Sequence, residues 1–255
     1  LLKMLSLIEN NPIYKKVKSN IKSRIIYKFF YFIVYNFGKR FSVSSHEIQN
    51  YISKNTVFNR KRKYISVVEN FVDTNSFLKL KKKKFNRRVL LVSRLSKEKN
   101  IKFLIKAIKE TNIKADIIGS GIEKKNLIKF AKENKVQVRF LGKKNYKDLP
   151  KYFNSYYVYV ICSKNEGNVK SLLEAMSCQL ICVGTNVNGI KNIIKNNKTG
   201  LIVDNPLDLR SKLIKIFNNI NKYKYLGISS RKRVLKLNSI SHFLNQEMKI
   251  LNSLL

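Results

Sequence analysis

From residue 86 onward, short and almost wholly apolar runs alternate with longer stretches in which apolar residues recur at three- and four-residue spacing. RRVLLVS (87–93), KADIIG (114–119), VQVRFLG (136–142), YVYVIC (157–162), LICVG (180–184) and GLIV (200–203) read as strands. Residues 101–110, 122–134, 146–154, 168–178, 189–196 and 207–219 read as helices, and two amphipathic helices follow at about 222–236 and 239–253. In NIKFLIKAIKE, Ile101, Leu104, Ile105 and Ile108 fall on one helical face and Lys102, Lys106 and Lys109 on the other, so the lysines form a solvated surface. Strands alternating with helices through short connections predict a doubly wound α/β domain, with a parallel sheet covered on both faces. Such a sheet takes its ligands at the carboxyl ends of the strands, where each strand hands over to a helix N-terminus.

Before residue 86 the organisation changes. A basic helical stretch leads to RFSVSS (40–45), read as a strand, then to a helix from about His46, to KYISVVENFVD (63–73), and to the lysine-rich LKLKKKK. Repulsion between like charges in that last run predicts a linker over residues 76–86. IIYKFFYFIVYNF (25–37) is strongly apolar, but it contains Lys28 and is shorter than the roughly 20 residues that span a bilayer. A buried helix is favoured over an interfacial membrane helix there. No cleavable signal peptide is expected from the N-terminal residues given, and no internal repeat is read.

Lys+Arg 53 against Asp+Glu 15 gives a formal net charge of +38, which attracts nucleic acid, anionic lipid or phosphorylated small molecules. The abundance of Lys, Asn, Ile, Phe and Tyr, beside 9 Gly, 3 Pro and no Trp, is also the bias of an AT-rich genome, and that bias accounts for part of the charge. Dense basic runs occur at RKRK (60–63), KKKK (81–84) and RKR (231–233), without zinc-finger spacing or an aromatic RNA-binding signature, so no specific nucleic-acid partner is expected. Cys162, Cys178 and Cys182 lie in apolar segments and are expected to be buried free thiols in a reducing compartment. Neither His46 nor His242 is spaced with them as metal ligands are, so no metal site is expected.

Against this basic background, EGNVKSLLEAMSC (166–178) sets Glu166 and Glu174 eight positions apart at the start of a predicted helix. The backbone N–H groups of Gly167, Asn168, Val169 and Lys170 are placed to receive anionic oxygens. About six helical residues at 1.5 Å rise separate Glu174 from the helix start by about 9 Å, comparable to the span of a sugar diphosphate. A carboxylate is a bidentate acceptor for vicinal hydroxyls, so the pair suits two sugar rings with phosphates between them. Arg94 and Lys99, in SRLSKEKN after the first strand of the domain, add a guanidinium fork and an ammonium for a diphosphate, and Asn100 is placed to cap the next helix. Taken singly, each residue has a plainer explanation. Arg94 and Lys99 could be two surface cations, Glu174 an i,i+4 partner of Lys170, and Glu166 an exposed loop residue or cap.

EGNVKSLLEAMSC, preceded by SRLSKEKN and GSGIEKKNL and followed by GTNVNGIKNIIKNNKTGLIV, resembles the carboxyl-terminal half of the retaining GT-B glycosyltransferases of the family-four group, the glycosyl transferases group 1, over about residues 40–220. The resemblance implies a GT-B fold whose Rossmann-like domain at 87–236 binds a nucleotide-diphosphate sugar, with a closing helix at 237–255 that crosses back. It also implies that residues 1–75 are the last portion of an N-terminally truncated acceptor-side domain, with ENFVD (69–73) as the interdomain hinge. By the same resemblance Glu166 contacts the transferred sugar, Glu174 the ribose, Arg94 and Lys99 the diphosphate, and the backbone of Gly167, Asn168, Val169 and Lys170 the phosphates. Gly119, in GSG (119–121), could approach the donor, although a tight strand-to-helix turn explains its glycines as well. Two departures bear on fine donor geometry. Gln179 and Ile181 stand where the family has a glycine-proline turn, and Asn192 where it commonly has an acid.

The expected reaction is hexosyl transfer with retention to a glycan or lipid-linked acceptor hydroxyl in bacterial surface polysaccharide assembly. Arg94, Lys99 and backbone dipoles would take the place of an obligatory metal or cofactor. The expected setting is cytoplasmic, with peripheral contact at the anionic inner face of the plasma membrane. A donor-binding pseudoenzyme and a basic nucleic-acid binder remain as alternatives.

Overall fold

The computed structural model describes residues 41–43, 49–50, 65–80, 87–167 and 169–252. The apolar stretch 25–37, His46, the basic runs 60–63 and 81–84, and Asn168 lie outside the described residues. The chain divides into two units, Leu1–Val68 and Glu69–Leu255.

In the first unit, β1 (Phe41–Val43) and β2 (Ile65–Val67) pair in parallel, Phe41 opposite Ile65, and the Val68 N–H extends the ladder to the Val43 carbonyl at 2.8 Å. β1 falls within RFSVSS (40–45), read as a strand, whereas β2 lies in KYISVVENFVD (63–73), to which the sequence pattern assigns no element.

The second unit is built on a six-stranded parallel sheet in the order β5-β4-β3-β6-β7-β8. Its strands are β3 (Arg88–Val92), β4 (Lys114–Ile118), β5 (Val138–Gly142), β6 (Val158–Ile161), β7 (Ile181–Thr185) and β8 (Leu201–Val203). The helices are α1 (Ile101–Ile108), α2 (Lys124–Glu133), α3 (Leu149–Asn154), α4 (Lys170–Ser177), α5 (Asn188–Lys191), α6 (Pro206–Asn218), α7 (Ile220–Leu237) and α8 (Ile240–Asn252). The central strands are apolar at consecutive positions because both of their faces are covered. Val89, Leu91, Val158, Val160, Ile181 and Val183 pack with Leu104, Ile105 and Leu213 on one face. Leu90, Tyr159, Ile161 and Cys182 pack with Phe153, Leu172, Leu173 and Ile190 on the other. This is the doubly wound α/β arrangement that the alternating pattern predicts. Cys162, Cys178 and Cys182 are buried and free, as expected.

One local expectation needs correction. The helix expected over 189–196 ends at Lys191, because the following residues turn back on themselves. There the Lys195 N–H donates to Thr199 Oγ1 at 2.9 Å, Asn197 takes a φ of 58°, and the chain re-enters the sheet at β8. In the basic run 231–233, Lys232 is exposed while the two arginines are drawn into the fold. Arg231 spans the end of α4 and the turn after ENFVD (69–73), donating to the carbonyls of Ser177, Phe77 and Thr74, while Arg233 donates to the Ile193 and Asn192 carbonyls. Phe77, in the stretch read as the start of the linker, is fully buried beside Phe153. The hinge-like segment is fastened to the α7–α8 junction, where the Val72 N–H donates to the Asn238 carbonyl at 2.9 Å and the Asn238 side chain donates to the Asn70 carbonyl at 3.0 Å.

Among the described residues, no helix is long and apolar enough to cross a membrane, and no three His, Cys, Asp or Glu side chains are placed to hold a metal ion.

Candidate active site at the strand switch point

After β3 the chain builds β4 and β5 on one side of it, then returns to lay β6, β7 and β8 on the other. The helices that follow β3 and β6 therefore leave on opposite faces of the sheet, and the loops leading to them meet at its carboxyl edge, where doubly wound folds take their ligands. The loop after β3 carries Arg94 and Lys99, and the loop after β6 carries Ser163, Glu166 and Gly167. A main-chain hydrogen bond joins them, from the Lys164 N–H to the Glu98 carbonyl at 2.8 Å.

The structure brings Lys99 and Glu166 into direct contact, with Lys99 Nζ donating to Glu166 Oε1. The Ser163 hydroxyl donates to the same oxygen at 2.5 Å. Ser163 is itself held from β7, because its carbonyl accepts from Thr185 Oγ1 at 2.7 Å. Arg94 is exposed on the same loop as Lys99, and no protein group engages its guanidinium among the described residues. Asn100 occupies the N-cap position of α1 but takes a left-handed conformation at φ 49° and makes no side-chain cap, contrary to expectation. Its conformation instead turns the chain from a short 3-10 turn at Lys97–Lys99 directly into α1.

Helix α4 begins at Lys170, two residues later than expected, so Glu174 lies about 6 Å along the helix axis from its first residue rather than about 9 Å. Val169, buried and extended, precedes the helix and offers no side-chain cap, so the first-turn N–H groups depend on other partners. Among the described residues, and apart from its chain neighbours, no atom lies within 4 Å of where a Gly167 side chain would project, which leaves open volume beside those groups.

Glu174 is 3% exposed. Burial raises its pKa to about 7, against the opposing pull of Lys170 and of the Tyr146 hydroxyl that faces it. Lys170 forms no ion pair with Glu174. Its Nζ sits over the Tyr146 ring at 5.0 Å and the Phe71 ring at 5.8 Å. Tyr146, from the segment after β5, packs on Phe77 with ring centroids 5.3 Å apart, and burial together with Glu174 raises its pKa.

Gly119 sits at the carboxyl end of β4, where close packing accounts for its lack of a side chain. A Cβ on Gly119 would lie 1.8 Å from the Ser93 carbonyl oxygen, and one on Gly121 would lie 2.3 Å from that of Leu95. Both glycines let the β4 loop press against the loop that carries Arg94 and Lys99. At the departure from the family's glycine-proline turn, Gln179 keeps the backbone that a glycine would take, with φ 58°.

Sequence reasoning missed Ser163, Thr185 and Tyr146. The first lies three residues before Glu166 in CSKNEG, a local signal that was available, whereas the other two reach the site only through the tertiary fold.

The model of the family described as glycosyl transferases group 1 matches residues 72–233. The chain is 28% identical over 208 residues to the UDP-N-acetylglucosamine–peptide N-acetylglucosaminyltransferase GtfA subunit of Streptococcus agalactiae, covering 72% of this chain and 40% of that protein. It is 31% identical over 173 residues to a diNAcBac-PP-undecaprenol-linked-glycan α-1,4-N-acetyl-D-galactosaminyltransferase of Campylobacter jejuni, covering 64% of this chain and 47% of that protein. The chain thus spans less than half the length of either relative. Among solved structures, sucrose-phosphate synthase from Thermosynechococcus elongatus superimposes with a TM-score of 0.80 at 19% identity, covering 100% of this chain and 66% of that one. Anabaena Alr3699/HepE in complex with UDP superimposes with a TM-score of 0.78 at 16% identity, covering 92% and 69%. At these identities the likeness is one of fold, the GT-B type. The family match runs from the hinge-like segment to the end of the basic run on α7 and takes in both switch-point loops and more than half of the sequence, so the chain belongs to the glycosyl transferases group 1.

Proposed function

We propose that this chain binds the donor of a retaining glycosyltransferase that moves a hexosyl group from a nucleotide-diphosphate sugar to a hydroxyl of a glycan or lipid-linked acceptor. The observation that carries the proposal is the convergence of Lys99 and Glu166 across the switch point, on loops joined by a main-chain hydrogen bond. A cation for the diphosphate and an acid for sugar hydroxyls stand side by side there, as a sugar diphosphate requires at its anomeric junction.

In the proposed step the bond from the anomeric carbon to the diphosphate oxygen breaks. The acceptor oxygen bonds to that carbon on the same face, and its proton passes to the departing diphosphate. Arg94, Lys99 and the backbone N–H groups of residues 167–170 take up the charge that grows on the leaving group, so no obligatory metal is assigned. Glu166 accepts from the transferred sugar and Glu174 from the ribose. Gly119 lines the same crevice by way of its backbone.

The two relatives described above are both named for transfer of N-acetylhexosamines, which supports a hexosyl donor and a role in bacterial glycan assembly. The net charge of +38 supports a setting against anionic lipid at the inner face of the membrane.

Calorimetric titration with UDP and GDP tests the phosphate assignment. Arg94→Ala and Lys99→Ala are each expected to weaken nucleoside-diphosphate affinity about tenfold, equivalent to about 1.4 kcal/mol. Unchanged affinity in both variants would remove these residues from the site.

A further inference from the structure

We propose that Ser163 is a positioning residue that holds Glu166 in the orientation needed to read the donor sugar, an inference that rests on the donor-site assignment above. The Ser163 hydroxyl and Lys99 Nζ converge on a single oxygen, Glu166 Oε1. A carboxylate offers about four lone-pair sites on two oxygens, and no described residue donates to Oε2. Gripping one oxygen from two directions fixes the rotamer and leaves the other oxygen available for sugar hydroxyls.

The two donors differ in what they can do once a donor substrate arrives. Lys99 is a long side chain, 18% exposed, whose ammonium has three N–H groups and is strongly attracted to a diphosphate. Ser163 is short and 1% exposed, and its backbone is tied to β7 through Thr185 Oγ1. When Lys99 turns to the phosphates, Ser163 is the partner that stays.

The main chain of Glu166 is fixed independently. A Cβ on Gly189 would lie 2.1 Å from the Glu166 carbonyl oxygen, so α5 packs directly against this residue's backbone. With the backbone held by α5 and one carboxylate oxygen held by Ser163, Glu166 is pre-organised before substrate binds. Ser163 touches no substrate in this arrangement and acts only through Glu166.

The test compares each nucleotide sugar with its own nucleoside diphosphate on the full 255-residue chain, using UDP-N-acetylglucosamine, UDP-N-acetylgalactosamine, UDP-glucose and GDP-mannose. The quantity read is the gain in affinity that the sugar adds. In Ser163→Ala the nucleoside-diphosphate affinity is expected to stay within about twofold of wild type while the sugar gain falls about fivefold or more, the loss of one hydrogen bond to a charged group. In a Glu166→Ala background, adding Ser163→Ala is expected to change nothing further, because the serine acts through the missing carboxylate. A purely structural serine would weaken diphosphate and sugar nucleotide alike and would remain additive with Glu166→Ala, which would overturn the inference. Ser163→Cys, nearly the same shape with a weak donor, gives the same comparison if the alanine variant does not fold. A wild-type chain that gains from the sugar and a Ser163→Ala chain that gains as much would overturn this inference alone. A wild-type chain that gains nothing from any of the four sugars would overturn the donor-site assignment with it.

Discussion

Asp116 on β4 and Glu174 on α4 are both almost sealed from water, at 0% and 3% exposure, yet their surroundings treat them oppositely. Asp116 is met by Arg88 from β3, by Arg139 from β5 through two guanidinium nitrogens, and by the Tyr156 hydroxyl. Burial is the largest single influence on its carboxyl and pushes the pKa up, but these partners together outweigh it and hold the acid below its ordinary range. Around Glu174 burial wins. Lys170, Tyr146 and Tyr159 face it, and Asp73 acts on Tyr146, yet the carboxyl is pushed up to about 7. A buried acid with a full set of partners is a fastener. One left short of partners is expensive to keep in the fold, and a ligand with hydroxyl donors would supply what it lacks.

The largest test of this contrast is Asp116→Ala, which strands two arginines around an empty pocket. Because Arg139 is 54% exposed and can rehydrate, the expected loss is at the low end for a broken buried ion pair, about 3 kcal/mol by urea unfolding at pH 7. A variant as stable as wild type would erase the distinction.

Glu174→Gln should act in the other direction. Folded Glu174 holds its proton up to about pH 7, whereas its ordinary value is 4.5, so ionisation costs the folded state stability as pH rises through that window. Thermal unfolding followed from pH 4.5 to 8 is expected to show this decline in wild type and not in Glu174→Gln, which at pH 8 should be the more stable by about 3 kcal/mol. Asp116 has the opposite sign. Its contribution is present above the ordinary carboxylate range and is lost as pH falls through its lowered folded value. Nucleoside-diphosphate affinity in wild type should rise with pH toward about 7 as Glu174 ionises, and Glu174→Gln should flatten that profile.

The smallest effect sharpens the account of Asp116 itself. Tyr156→Phe removes one hydrogen bond and leaves both arginines in place, for an expected loss of about 1.5 kcal/mol. A loss as large as that of Asp116→Ala would make the tyrosine, not the guanidinium pair, the principal support of the acid.

The strands were legible because a parallel sheet buried on both faces leaves unbroken apolar runs, and VLLV and VYVI have no competing helical period. Their order was not. Nothing local records that β3 lies between β4 and β6, since that depends on which crossover goes to which side. The same limit applies to polar residues. Glu166 and Glu174 could be singled out because they share one short segment, but Tyr156 reaches Asp116 across 40 residues and Arg231 reaches Phe77 across 154. Asn100 shows the converse, a residue whose type fits a cap while its backbone, bent into the left-handed region, withdraws the side chain from that role.

The hydrogen bond from the Lys164 amide to the Glu98 carbonyl yokes the two switch-point loops without using any side chain. Because peptide groups are common to nearly every residue type, substitutions at positions 98 and 164 leave this bond in place, and the gap between the loops after β3 and β6 keeps its width. If the proposed donor site is right, its selectivity can be rewritten at the rim while the gauge stays fixed by the backbone.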